Sequence, residues 1–186
     1  MRLNDPLVTS FIFEGEEYLI DLSFDNVLDV FDVLEDKELR GYEKAEINIA
    51  LLLSESFYGE RAVNLWNFIY ESFIHIESKR IIEYDLKGNP LPVQKEQKKS
   101  IDIDIDGEYI FASFQQAYNI NLFTKQGKMH WLEFKSLLNG LPSNTIMQRI
   151  IQIRLWEPSK GDPSEYVKSM QELQKVYALE EEEVDE

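Results

Sequence analysis

Between Ser23 and Gly41 the apolar side chains Phe24, Val27, Leu28, Phe31 and Leu34 recur at steps of three and four. Such steps fall on one face of a helix, which must find a surface to cover it. Ser23 predicts the N-cap, Asp25 suits the positive end of the helix dipole, and Gly41 stands where a C′ glycine ends a helix. The same period predicts a second helix over Tyr42–Leu53. A third is predicted over Gly59–Ser78, with Ala62, Leu65, Trp66, Ile69, Phe73 and Ile76 as its buried stripe. Later in the chain, Tyr109, Ile110, Phe114, Ala117 and Tyr118 predict a helix ending near Asn119. Met129–Leu138 predict another, with Trp131, Phe134, Leu137 and Leu138 inward. Ser143 predicts the cap of a helix carrying Ile146, Met147, Ile150, Ile151 and Ile153, which Pro158 stops. Asp162-Pro163 predict the start of the last helix, which carries Tyr166, Met170, Leu173 and Val176.

One stretch has a different character. Phe11–Phe13 and Tyr18–Leu22 are β-prone runs around Glu14-Gly15-Glu16, the pattern of a β-hairpin. Two strands alone are marginally stable, so the hairpin must pack against a helix. The expected fold is therefore mainly α with a small N-terminal β-hairpin (α+β), in two helical subdomains joined by a charged linker. Residues 1–82 hold the hairpin and three helices, and residues 105–179 hold four helices. Residues 83–104, with a glycine, two prolines and a lysine-rich run, form the linker or an exposed loop. The like-charge tail "EEEEVDE", residues 180–186, is expected to be disordered.

Composition limits the function classes. With 186 residues, 44% hydrophobic and 12% aromatic, the chain can build a packed core. Its 35 acidic residues against 19 basic give a formal charge of −16, which a nucleic-acid backbone or an anionic membrane would repel. There is no cysteine, and so no disulfide, thiolate metal site or cysteine nucleophile. The first ten residues lack the apolar run of a signal peptide, and no apolar run approaches a membrane span. A soluble protein retained in the cell that makes it is expected.

"SIDIDIDGEYIFAS" raises one metal question. Asp102, Asp104, Asp106 and Gly107 fit positions one, three, five and six of an EF-hand loop. Position twelve, however, is Ser113, a neutral hydroxyl where a bidentate glutamate is needed, and no helix precedes the loop. A short strand, or acids complementing the positive end of the following helix, explains the pattern better. The three aspartates stand as a candidate cation site, and a calcium-responsive module as the lesser alternative.

His75 and His130 are the only histidines, and neither has a partner at metal-binding spacing. No nucleophile elbow, phosphate-binding loop or dinucleotide glycine pattern is present. The expectation is a protein without catalytic residues or cofactors. Aromatic-rich segments read mainly as core, with Trp66, Phe73, Trp131 and Trp156 as candidates for contact with a partner or a second copy of the chain.

Two strings are familiar as wholes. They are "MRLNDPLVTSFIFEGEEYLIDLSFDNVLDVFDVLEDKEL" and "YIFASFQQAYNINLF…QGKMHWLEFKSLLNGLPSNTIMQRIIQIRLW". With Ala112-Ser113-Phe114, Gln116-Ala117-Tyr118 and His130-Trp131 at fixed spacing, the chain resembles the bacteriophage "gene product fifteen" family of phages and prophages of Gram-positive bacteria. The resemblance spans nearly the full chain apart from the linker and tail. The family usually has Ala-Tyr-Gly-Ile-Asp-Leu where this chain has Ala117-Tyr118-Asn119-Ile120-Asn121-Leu122; asparagine tolerates the left-handed conformation, so a C-cap at Asn119 survives. The resemblance also implies a helix led by an acid here, which favours a capping role for Asp106. It further implies a tail-assembly chaperone that coats and solubilises the tape-measure protein and helps recruit the major tail protein. Such a protein would act in the host cytoplasm and be absent from the virion, and self-association is a further expectation. The rival within the same class is a structural tail or head–tail connector protein retained in the particle.

Overall fold

In the computed structural model, which describes residues 4–75 and 100–179, Glu14 and Gly15 both take positive φ (51° and 84°). Positive φ at both positions of a two-residue loop matches the right-handed twist of flanking strands. Accordingly β1 (Ser10–Phe13) and β2 (Glu16–Leu19) pair antiparallel, Phe11 opposite Tyr18 and Ser10 opposite Leu19. Glu16, expected in the loop, is the first residue of β2. Alternation turns Phe11 and Tyr18 inward, while Ile12 and Leu19 face out at 70% and 75% exposure.

The described residues form two units, residues 4–75 with 123–136 and residues 100–122 with 137–179. Mainly α architecture with one small hairpin is the result, as the periodicities predict. The lysine-rich part of the linker and the acidic tail lie outside the described residues.

In the first unit, α1 (Phe24–Glu35), α2 (Gly41–Leu53) and α3 (Gly59–Ile69) enclose the core. Phe24, Val27 and Val30 are the buried stripe of α1, with Leu28 and Phe31 half-buried at its margins. Ser23 occupies the N-cap position without a side-chain cap bond; the first helical N–H, on Phe24, is donated to Met129 O at 2.9 Å. Gly41 does not end α1 but opens α2. The Asp36 carboxylate instead accepts from Glu38 N–H (2.8 Å), a local turn that competes with continuing the helix, and Glu43 accepts from Arg40 N–H (2.8 Å) where α2 begins.

The stripe of α3 begins as its spacing predicts, with Ala62, Leu65, Trp66 and Ile69 buried; Phe73 is half-buried, and Ile76 and the predicted helix end at Ser78 lie outside the described residues. The helix then widens into a π turn over Tyr70–Ile74, with His75 N–H donated to Tyr70 O at 2.7 Å. The wider turn buries Ile74 and swings Phe73 onto Phe11, ring centres 5.4 Å apart. Phe68 joins both rings, at 5.6 Å from Phe11 and 6.1 Å from Phe73. Arg61 of α3 also binds the hairpin, donating to Glu16 at 2.7 Å and to Tyr18 Oη at 3.0 Å. The helix beneath is what stabilises this two-stranded sheet.

Residues 123–136, expected within the second subdomain, complete the first unit. Met129 and Trp131 pair in antiparallel fashion with Leu22 and Phe24, through Phe24 N–H to Met129 O and Trp131 N–H to Leu22 O (2.7 Å). Asp25 accepts from Gly127 N–H at 2.9 Å, so the carboxylate expected only to complement the helix dipole ties down a loop 102 residues away. The helix α5 (Trp131–Asn139) then brings Phe134 onto Phe24, ring centres 4.9 Å apart, with Trp131 at 5.7 Å on the same ring.

The second unit contains α4 (Gly107–Tyr118), α6 (Ile146–Arg154) and α7 (Ser164–Val176). Asn119 ends α4 in the left-handed conformation at φ 54°, as the sequence predicts. Thr145, not Ser143, takes the N-cap position of α6, and Met147 N–H is met by Ser113 Oγ of α4 at 3.1 Å. A buried hydroxyl on one helix thus satisfies the open end of another, a role no local pattern announces. The N-cap of α7 is Pro163 rather than Asp162, whose carboxylate accepts from Ser159 N–H at 2.8 Å.

Candidate interaction surface

The three aspartates are engaged with the protein itself. Asp102 accepts from Asp104 N–H (3.1 Å) and Ile105 N–H (3.0 Å), closing the turn that leads into α4. Asp106 sits at the N-cap of α4 but does not cap it through its side chain. Its fully buried carboxylate receives both ends of the Arg154 guanidinium, Nη1 to Oδ2 at 2.6 Å and Nη2 to Oδ1 at 2.7 Å, and Asp102 N–H at 3.0 Å. The helix-capping role expected of Asp106 is corrected: a buried guanidinium offers charge and two parallel donors, which together outweigh one exposed backbone N–H. Among the described residues no group of three or more acidic or histidine side chains is arranged to hold a metal ion.

Arg154 does more than pair. Its Nη1 also donates to Ser100 O (3.0 Å) and its Nε to Tyr177 O (2.6 Å). One guanidinium therefore holds the approach to α4, the end of α6 and the end of α7. Nothing local in the sequence marks this residue, because its partner lies 48 positions away.

His130 stands just before the start of α5, with both ring nitrogens facing backbone groups. Its Nδ1 accepts from Leu132 N–H at 3.1 Å and its Nε2 lies 3.3 Å from Val8 O, an arrangement that requires the neutral ring with hydrogen on Nε2. Burial of the ring holds its pKa below the ordinary histidine value, outweighing the opposing pull of Val8 O, Glu133 and Asp21. The unfolded chain then takes up the proton first as pH falls below about 6.5. Stability is full above that point, declines on acidification through the lower folded value, and rises with pH across the window. Melting temperatures of the wild-type chain from pH 7.5 to 5 are expected to fall more steeply than those of His130→Asn, which keeps an acceptor for Leu132 but has no proton to gain. Equal slopes would remove His130 from the account. His75 lies at the exposed end of the π turn, 3.8 Å from Glu71 and stacked on Tyr70 at 5.4 Å.

The four aromatic candidates separate on burial. Trp66 and Trp131 are buried in the first unit, where their rings pack in the core. Phe73 is half-buried in the hairpin's aromatic cluster. Trp156 is half-buried beyond α6, edge-on to Tyr166 at 5.8 Å.

Trp156 leads to a feature of the second unit. The thirteen residues of α7 include none that is buried. Its Gln174 donates to Ile153 O (2.9 Å) and Trp156 O (2.8 Å), meeting carbonyls at the end of α6. Those polar ties hold the helix by one side and leave part of its apolar stripe open: Tyr166 is 47% exposed, Leu173 39% and Val176 73%. Leu155, between the two helices, is also exposed. Spacing marked these as a buried face; which part stays open depends on the tertiary contact.

Comparison with known proteins yields one finding. A family model described as "Bacteriophage Gp15 protein" matches residues 3–179. No curated protein and no solved structure matches the chain. Among the described residues no helix is long and apolar enough to cross a membrane.

Proposed function

The chain belongs to the bacteriophage Gp15 family, and from that premise we propose that it is a non-enzymatic tail-assembly chaperone, one that binds the tape-measure protein and keeps it soluble. The observation that carries this reading is the open apolar stripe of α7 on a protein with a net charge of −16. A half-covered helix can accept a second amphipathic helix, while the charge keeps the resulting complexes apart in solution. On this reading the protein works in the host cytoplasm, helps bring the major tail protein to the growing tail, and leaves before the virion is complete.

Co-expression with the tape-measure protein of the same phage tests the proposal. The tape-measure protein is expected in the soluble fraction, co-purifying with this chain, and in the pellet when the chain is omitted. Solubility without the chain, together with no co-purification, would end the reading. Mass spectrometry of purified virions separates the chaperone from a retained tail or connector component, because only the latter should be found there.

A further inference from the structure

At about 100° per residue, Tyr166, Met170 and Leu173 of α7 and its C-cap residue Tyr177 follow one another at steps of four, three and four along a single seam. One flank of the seam turns toward the end of α6, where Gln174 and the Arg154–Tyr177 bond hold it. The other flank, marked by Leu173 and Val176, is open. Beyond Val176 the next side chains around the helix are Glu165 and Glu172, within about 20–40° of it, while Lys168 and Lys175 lie about 80–100° away. An open apolar strip with an acidic border is thus presented to the solvent.

From this arrangement we infer that the open flank of α7 is a docking seam for an amphipathic helix whose own apolar stripe is bordered by lysine or arginine. The anchors are spaced as helix-on-helix recognition requires, and the border selects the sign of the partner's charge. A second copy of the chain fits poorly, since it brings the same acids and another net charge of −16 to the contact. An anionic membrane surface is repelled for the same reason. The inference deepens the chaperone reading and rests on it only for the identity of the protein that carries the docking helix.

Two synthetic 21-residue helices provide the probe, identical in their leucine stripe and differing only in lysine or glutamate borders. The full chain is expected to prefer the lysine-bordered peptide by about tenfold, with binding weakened by salt. The charge-swapped variant Glu165→Lys/Glu172→Lys, altered only at exposed positions, is expected to reverse that preference. Val176→Asn is expected to weaken both peptides while leaving the melting temperature unchanged. A swapped variant that still prefers the lysine-bordered peptide would show that overall acidity, not this seam, selects the partner, and would overturn the inference. So would absence of binding to the wild-type chain. Failure is also separable from that of the chaperone reading. If the charge-swapped chain keeps the tape-measure protein soluble as well as the wild type does, the seam is not its docking place and the chaperone reading stands. If the wild type cannot keep it soluble, the chaperone reading falls and the peptide comparison alone decides the seam.

Discussion

Asp106→Ala is expected to cost the second unit about 3–5 kcal/mol, because it strands the Arg154 guanidinium inside the protein. The Asp106 carboxylate is fully buried and the Arg154 side chain nearly so, with two short parallel bonds between them. Deleting one partner leaves a charge that water cannot reach. The double replacement Asp106→Leu/Arg154→Met is expected to cost less than the single one, since no buried charge remains, although the bonds from Arg154 to Ser100 O and Tyr177 O are lost as well. Urea unfolding followed by far-ultraviolet circular dichroism reads the effect. A single variant within about 0.5 kcal/mol of wild type, the range of ordinary surface substitutions, would show that the pair is not sealed from solvent.

In the first unit the corresponding effect is expected at Phe134. Phe134→Ala removes a buried ring packed between Phe24 (4.9 Å) and Trp131 (5.7 Å), for an expected loss of about 3–5 kcal/mol. The loss combines the transfer free energy of the ring with the cavity it leaves. Trp131 lines that cavity, and the near-ultraviolet circular dichroism to which its ring contributes should weaken along with stability. Leu19→Ala, on the outward face of the hairpin, serves as the comparison and is expected to stay within about 0.5 kcal/mol. If the two variants were equally mild, the packing of α5 on α1 would carry little of the fold.

Several elements were legible because their causes are local. The stripe of α3 from Ala62 to Ile69, the turn at Glu14-Gly15 and the left-handed C-cap at Asn119 each follow from neighbouring residues and their allowed backbone angles. Where two local devices compete, residue type alone does not set the helix boundary. Gly41 had the composition of a helix end, yet the Asp36 turn stopped α1 earlier and freed the glycine to open α2. Thr145 likewise displaced Ser143. At Asp106 the competitor is distant in the chain. Aspartate before a helix announces a cap, and nothing nearby reveals an arginine 48 residues on that competes for the same carboxylate.

The candidate surface divides along the same line. That Tyr166, Met170, Leu173 and Val176 share a helix stripe was readable from spacing; that the stripe is only partly covered was not. Likewise Trp66 and Trp131 were nominated for partner contact on their size and type, and burial assigns them to the core. By itself the sequence determined where helices and the hairpin form and that the chain carries a large negative charge, because periodicity, turn chemistry and ionisation act over a few residues. Only the tertiary structure decided that Asp106 meets Arg154, that Met129 and Trp131 pair with the start of α1, and which flank of α7 is left open. Those outcomes depend on which distant surfaces meet, and the free energy that selects among such meetings is shared by side chains far apart in the chain.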